Sequence, residues 1–521
     1  MQVFPVAMSL IASYVSGVTI LGTPAEIYNF GTQYWIIVPA IWIMGIIVAY
    51  VYLPVFCKLQ VNSSFNRKVR SIACLMFIFD EIMFLPILIY VPSLAFNQVT
   101  GVNVHVIGTI VSAVCIFYTV IGGLKAVVWT DTLQIIVMFF SVIAIVIVGT
   151  FAIGGPTVIW NASNEGGRLI FFNFDTSLYE RHTFWSVLIG GTFYWTAFNS
   201  VNQTMVQRYM SLNSLRMARR SLALFTVGVS LFVLVCCYTG LIIYTTYGNC
   251  DPSLSGLVAA DDQMFPVFVM QTVGHLAGIP GLFVAGVFGA ALSSLSVVLN
   301  STAAVLLEDI VKGVLRLSIS ERMSRVFVKG SSLVLGLVGL SFLFIVEHLG
   351  GVLSVATSLS AIAAGTTFGV FTLGMLVPWA DSTGAGIGAL AGALISGWIS
   401  FGSQYATAAG LVRPHKLPVS VDGCGMDIMP NVTFNTNTTC EYVFPLYKLS
   451  YHWIAPAGVC TVLLVGALAS YPGRAKQLKR LNIDHISPVV QWLVPCAEHN
   501  ERSPSVVNLK ETQETAFSNH S

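Results

Sequence analysis

The stretch Ser9-Leu-Ile-Ala-Ser-Tyr-Val-Ser-Gly-Val-Thr19 sets small and hydroxyl-bearing residues in the middle of a segment otherwise apolar enough to cross a bilayer. Hydroxyls at that depth can bond to backbone that has left the helix, so the segment reads as a span that breaks part-way across. A second segment of this kind, Gly190-Gly-Thr-Phe-Tyr-Trp-Thr-Ala-Phe-Asn-Ser-Val-Asn-Gln203, follows about five apolar spans later. Paired interrupted spans in corresponding halves are the best sequence pointer to the binding site of a secondary carrier.

The rest of the 521-residue chain supports a membrane setting. Hydrophobic residues make up 55%, charged residues 9%, and the mean hydropathy is +0.79, against about a quarter charged in soluble proteins. Long apolar runs predict helices rather than the short alternating segments of a membrane barrel. About twelve spans are expected, near 4–27, 35–56, 72–96, 104–121, 132–153, 184–205, 222–244, 265–307, 326–345, 352–377, 385–400 and 453–469. The eighth is long for one crossing and is expected to tilt or to extend into the cytosol. Net charge is +2, which gives no reason to expect nucleic acid.

Alternate loops carry the basic residues: Lys58, Arg67, Lys68 and Arg70; Arg208, Arg216, Arg219 and Arg220; Lys312, Arg316, Arg322, Arg325 and Lys329; and Arg474, Lys476, Lys479 and Arg480. The positive-inside rule puts these loops, and both ends of the chain, in the cytosol. Glycosylation sequons begin at Asn161, Asn431 and Asn437 in the loops left outside. Those at Asn62, Asn202 and Asn300 fall in a cytosolic loop or in membrane and read as chance. Three of the ten cysteines, Cys250, Cys424 and Cys440, also lie outside, where a disulfide can persist. Cys424 with Cys440 is the favoured local staple, with Cys250 bridging to either as the alternative. No cleavable signal peptide is visible, and residues 473–521 read as a polar cytosolic tail.

No nucleophile motif, phosphate-binding loop or His-Glu-x-x-His sequence is present, so enzymatic chemistry is not expected and the driving energy must be a gradient. Sodium is a hard cation suited to freed carbonyls, hydroxyls and carboxylates. Such groups occur at the Ala12–Thr19 break and in Phe288-Gly-Ala-Ala-Leu-Ser-Ser-Leu-Ser-Val-Val-Leu-Asn-Ser-Thr302. Adjacent Ser293 and Ser294 can equally bond back to their own helix.

Ser16-Gly-Val-Thr-Ile-Leu-Gly-Thr-Pro-Ala-Glu-Ile-Tyr28, Tyr118-Thr-Val-Ile-Gly-Gly-Leu-Lys-Ala-Val-Val-Trp-Thr-Asp-Thr-Leu-Gln134, Asn202-Gln-Thr-Met-Val-Gln-Arg-Tyr209 and Leu299-Asn-Ser-Thr302 together resemble the sodium/solute symporter family. Within it, Pro24-Ala-Glu26 and Ala95-Phe-Asn-Gln-Val-Thr-Gly101 are similar to the branch of monocarboxylate, multivitamin and iodide carriers. The resemblance implies an all-α integral membrane fold of the LeuT-like kind, with inverted five-helix repeats whose first and sixth helices are broken. The symporter domain would be 1–472, with repeat one at about 4–154, repeat two at about 184–378 and further spans over 385–472.

The resemblance also implies site residues. Sodium would take the carbonyls of Ala12, Val15 and Ala290 and the hydroxyls of Ser293 and Ser294. Asp131 would lie on the ion path, with Gln134 and Ser13 as candidates for a second ion site; Asp131-Thr-Leu-Gln134 also reads as a capping box opening the fifth span. Tyr14, Thr19, Trp195, Phe198, Asn199 and Gln203, together with Ser13, would face the substrate. No cofactor is implied beyond sodium as coupling ion.

Three departures stand out. Asp80 and Glu81 fall mid-span where relatives carry uncharged residues, and an intramembrane carboxylate is a functional hypothesis by default. Gly365-Thr-Thr367 replaces a common Gly-Pro pair. The usual extra N-terminal span is expected to be missing, or the deduced start to be wrong, because Met1 lies almost at the broken helix. The expectation is a multi-pass plasma-membrane symporter taking up a small anion by alternating access; a neutral solute, or a non-transporting sensor or channel, are the alternatives. Its partners would be the solute, sodium and the lipid bilayer.

Overall fold

The computed structural model describes residues 2–59, 67–346, 352–412, 414–424, 443–478 and 486–491. Asn431, Asn437 and Cys440 lie outside the described residues. Among those described, all regular structure is helical. In lipid every backbone N–H and C=O must be satisfied within its own segment, and a long apolar run achieves this as a helix.

The first span is broken. α1 (Val3–Tyr14) ends at Val15, the chain unwinds to Gly17, and a wide-turned stretch Val18–Gly22 leads into α2 (Thr23–Phe30), with the halves bent by 59°. A Cβ on Gly17 would sit 2.6 Å from the Val91 side chain, so only glycine lets the unwound backbone come this close. α3 (Ile37–Ile47) and α4 (Leu53–Leu59) form the next span, followed by α5 (Arg67–Thr100). α6 (Val104–Ala152) holds two apolar spans, Val104–Ile121 and Trp129–Ala152. Beyond the short α7 (Pro156–Glu165) comes the second broken segment, α8 (Gly191–Val201) and α9 (Gln203–Met210). They are parted by Asn202, whose backbone is extended and whose side chain caps α9 by accepting the Thr204 N–H at 2.8 Å.

The remaining helices are α10 (Leu215–Tyr247), α11 (Met264–Phe268), α12 (Ile279–Val305), α13 (Glu321–Val346), α14 (Val352–Leu376), α15 (Ser382–Ala408), α16 (Ile454–Ser470) and α17 (Arg474–Leu478). Among the described residues ten helices are long and apolar enough to cross a membrane, eleven if the bent first pair counts as one span. The segment at 184–205 is not among them because Asn202 divides it, so a count of about twelve is not reached by length and apolarity.

The long eighth segment proves to be two pieces. Gly278, with φ +91°, separates α11 and its continuation from α12, and a π-helical stretch Leu306–Val314 prolongs α12 at the other end. At Gly365 no bend appears: α14 runs through it and packs on Ala455 and Gly458.

α1 packs against α6, α10 and α12, α8 against α3 and α14, and α5 against α12, α13 and α14. α15 meets α16 through Gly384, Gly388 and Gly392, and a Cβ on Gly388 would lie 2.8 Å from the Val462 carbonyl. Such close approach is how helices associate where lipid supplies no hydrophobic drive. Phe117, Leu133, Phe140 and other large apolar side chains remain exposed, as a lipid-facing surface requires.

On the side assigned outside, the disulfide joins Cys250 to Cys424, with Cα atoms 5.0 Å apart. This corrects the favoured Cys424–Cys440 staple. Asp251 N–H donates to the Ser420 carbonyl at 2.9 Å and Gly423 N–H to that of Asn249 at 2.8 Å, so the two loops are already laced together beside the bridge. Nearby, buried Arg168 donates to the carbonyls of Tyr28, Gly166 and Pro418, and its guanidinium stacks 4.1 Å from the Tyr244 ring. At the opposite end part of the polar tail is docked: Ser487 is buried and bonds to Met375 and Val51.

Candidate ion and substrate site

The break in the first span lies against the serine pair of α12. Ser293 Oγ donates to the Ala12 carbonyl at 2.9 Å and is 3.0 Å from that of Ala290, and Ser294 Oγ donates to the Ala290 carbonyl at 3.0 Å. Ala12, Val15, Ala290, Ser293 and Ser294 are all buried. The hydroxyls therefore do bond back into their own helix, while Ser293 also reaches across to the broken one. The result is a compact group of neutral oxygen atoms with no charged member, the donor set that a hard monovalent cation accepts.

Asp131 is fully buried beside this group. Its Oδ2 accepts the Ser9 hydroxyl of α1 at 3.0 Å and faces the Arg208 guanidinium of α9 at 3.7 Å, whereas Oδ1 has no hydrogen-bond partner. The capping box is not formed: Asp131 falls inside helical backbone and accepts no main-chain N–H. The N–H groups that such a cap would serve are already committed to the helix, so the carboxylate is held by a hydroxyl and a cation instead. Gln134 faces the α12 backbone at Gly289, and its Oε1 is buried without a partner. Ser13 donates to the Ser9 carbonyl at 2.7 Å.

Between the two broken segments lies a cavity of about 60 Å³, lined among others by Ser13, Tyr14, Thr19, Tyr34, Tyr194, Trp195 and Phe198. Tyr14 stacks on Trp195 with centroids 3.8 Å apart and meets Phe198 edge-on at 5.5 Å. Among the described residues no Lys, Arg, Asp or Glu lines it. Asn199 is buried and bonded to the Trp195 carbonyl, outside this lining. Gln203 faces a different cavity on the other side of Phe198. Four of the six candidate substrate residues, and Ser13, are thus brought together, and two are not.

A larger cavity of about 570 Å³ opens on the side assigned outside, lined by Glu26, Arg181, Asp261, Lys416 and Tyr451 among others. A latch separates it from the central cavity. Arg181 Nε donates to Glu26 Oε2 at 2.9 Å and its Nη2 contacts Oε1; His182 Nε2 lies 2.9 Å from Oε2, and His452 Nε2 lies 3.4 Å from His182 Nδ1. A carboxylate only accepts, so His182 carries its proton on Nε2 and accepts from His452 on Nδ1. Burial holds the His182 pKa below its ordinary value, which favours this neutral form. Burial alone would also lower the Arg181 pKa, but the Glu26 charge outweighs it and raises the value.

The profile of the sodium:solute symporter family matches residues 1–392. Human sodium-coupled monocarboxylate transporter 1 is 38% identical over 494 residues, 90% of this chain and 80% of that protein. This chain belongs to the sodium:solute symporter family. The rabbit sodium-dependent multivitamin transporter is 35% identical over 486 residues, with 90% of the symporter and 76% of that relative covered. Among solved structures, a Na+-coupled sialic acid symporter in a substrate-bound outward-open state superposes with TM-score 0.71 at 22% identity, covering 91% and 90% of the two chains. Mhp1, a nucleobase-cation-symport-1 transporter in a closed conformation, gives TM-score 0.54 at 12% identity, covering 92% and 93%. Both likenesses show the all-helical carrier fold of the symporter. The family makes it a sodium-coupled, multi-pass membrane carrier rather than an enzyme.

Sequence reasoning missed the outer latch of the symporter. Glu26 was visible in the Pro-Ala-Glu turn, but Arg181 and His182 lie 155 and 156 residues away, and no spacing rule joins them. Arg208, the partner of Asp131, was read only as a cytosolic charge. An arginine one helical turn past Thr204 in an interrupted span was the signal available.

Proposed function

We propose that this symporter couples inward sodium movement to uptake of a small organic or inorganic anion at the plasma membrane. Sodium is held by Ala12, Val15, Ala290, Ser293 and Ser294, and substrate by Tyr14, Thr19, Trp195 and Phe198. The observation that carries the ion site is the contact of Ser293 with the Ala12 carbonyl at the helix break. A cation entering there replaces hydroxyl–carbonyl bonds with oxygen–cation contacts and needs no change in the donor set. The adjoining cavity is small and aromatic, suited to a compact solute, and the curated relatives named above carry monocarboxylates or vitamins.

The anion would be balanced by bound sodium and by the N-terminal ends of half helices, since among the described residues no Lys or Arg lines the cavity. That same lining favours a second reading, a neutral solute such as a sugar or polyol. The interruptions at Val15–Gly17 and Asn202 support two repeats at about 4–154 and 184–378. Asp131 and Gln134 serve the ion path, the segment at 473–521 is a cytosolic tail, and Asn161, Asn431 and Asn437 carry glycans.

Uptake in cells, screened over lactate, pyruvate, nicotinate, biotin, iodide and glucose with and without sodium, tests substrate and coupling together. Ser293→Ala/Ser294→Ala is expected to raise the sodium concentration for half-maximal uptake about tenfold, the effect of losing roughly 1.4 kcal/mol of binding. An unchanged sodium dependence at normal surface level rejects the ion-site assignment.

A further inference from the structure

The second break, at Asn202, has carboxylates of its own. Asp80 and Glu81 sit on α5 and face it. Glu81 accepts the Thr204 hydroxyl at 3.4 Å, and that hydroxyl is 3.0 Å from Ser301 of α12. Ser360 of α14 and Tyr194 of α8 stand beside Asp80, and Asn202 beside Glu81. Asp80 is only 6% exposed, its Oδ1 accepts no hydrogen bond, and it lines a cavity of about 30 Å³ together with Phe198, Val201 and Asn202. A space of this size admits a small ion or a water. α8 ends at Val201, and the last carbonyls of a helix lack partners within it and mark the negative end of its dipole.

The neighbouring cations are committed elsewhere. Arg70, which also lines the cavity, pairs with Asp309, itself bonded by the Cys74 thiol. Arg208, one turn beyond Thr204, faces Asp131. Among the described residues no basic side chain is paired with Asp80 or Glu81, and Arg70, which shares the cavity, is held by Asp309, so two carboxyl groups and a helix C-terminus converge without an ion-pair partner of their own. Such an arrangement inside a membrane calls for a cation.

We propose that Asp80 and Glu81, with the Thr204 and Ser301 hydroxyls at the Asn202 break, form a second monovalent-cation site, separate from the Ser293–Ser294 group. Its occupant is sodium or a proton; either neutralises the pair, and Phe198, which lines both cavities, is the wall between this site and the substrate. A cation bound here stabilises one setting of the cytosolic half α9 and so couples to opening on that side.

The test uses the full-length protein in lipid nanodiscs, with radioactive sodium as probe and infrared spectroscopy of protonated carboxyls, at acid and alkaline pH. Asp80→Asn/Glu81→Gln is expected to remove about one bound cation per chain. Loss of one sodium identifies the sodium form. An unchanged sodium count with loss of a titrating protonated-carboxyl band identifies the proton form. If the double variant melts far below the parent, Glu81→Gln and Thr204→Val are measured singly and are expected to weaken the same signal. Equal sodium counts and equal carboxyl bands in parent and variants overturn the proposal. Ser293→Ala/Ser294→Ala is run alongside: failure of the main ion site shows as no change in that variant and leaves the carboxyl readout unaffected.

Discussion

Asp131 concentrates the electrostatics of the broken helices in one side chain. It is buried against Ser9 of α1 and Arg208 of α9, so it bonds to both broken segments. Asp131→Asn keeps an acceptor for Ser9 but strands a buried guanidinium, and breaking one side of such a pair costs about 3–5 kcal/mol. Asp131→Asn and Arg208→Gln are each expected to lower the melting temperature, and the double variant to lose less than the sum of the two. If Asp131 serves the ion path, uptake per surface molecule stays low in the double variant even where stability recovers. Thermal melting and surface-normalised uptake measured on the three variants check both statements.

At the scale of elements, the contacts of Glu26, Arg181, His182 and His452 join α2, the loop before α8 and the start of α16 between the larger cavity and the central one. Glu26→Gln removes the charge that holds Arg181, so Thr19→Cys is expected to react faster with an impermeant thiol reagent added outside, measured against the parent with its own cysteines. pH acts in the same direction through His182. Its pKa is depressed in the fold by burial, so its stabilising contribution is present above the ordinary histidine value of about 6.5 and is lost as pH falls below it. Labelling should rise on acidification, and His182→Gln should flatten that rise.

What was legible here follows from range. The α1 break could be read because Ser13, Ser16 and Gly17 sit within a few residues of one another in an apolar run. The second could be read from the crowding of polar residues up to Asn202 and Gln203. Contacts made between distant segments left no such trace: Glu26 with Arg181, Asp131 with Arg208, and Asp80 with the α8 end. The Asp131 capping box matched a local pattern that continuous helix overrode. Gly278, inside what read as one long span, is a glycine whose left-handed backbone only the fold reveals.

At the scale of the molecule, the outer loops are tied by Cys250–Cys424 and by Arg168, which joins the loop after α7 to α2 and to Pro418. Cys250→Ser is expected to cost about 2–5 kcal/mol, read as a lower melting temperature. Non-reducing peptide mapping should find Cys424 linked in the Cys440→Ser variant and unlinked in Cys250→Ser. Glycosidase should increase gel mobility, and removing the Asn431 and Asn437 sequons should abolish most of that shift, leaving what exposed Asn161 on α7 carries. The bridge spans 174 residues of sequence, and four membrane spans separate its ends. Four crossings return the chain to the side it left, so both thiols face the same compartment. Cys250 therefore emerges from the translocation machinery unpaired and waits, while the ribosome makes α12 to α15, for the residue that completes it. A chain that fails to insert any one of those helices delivers Cys424 to the opposite side and leaves Cys250 without the partner it has in the fold.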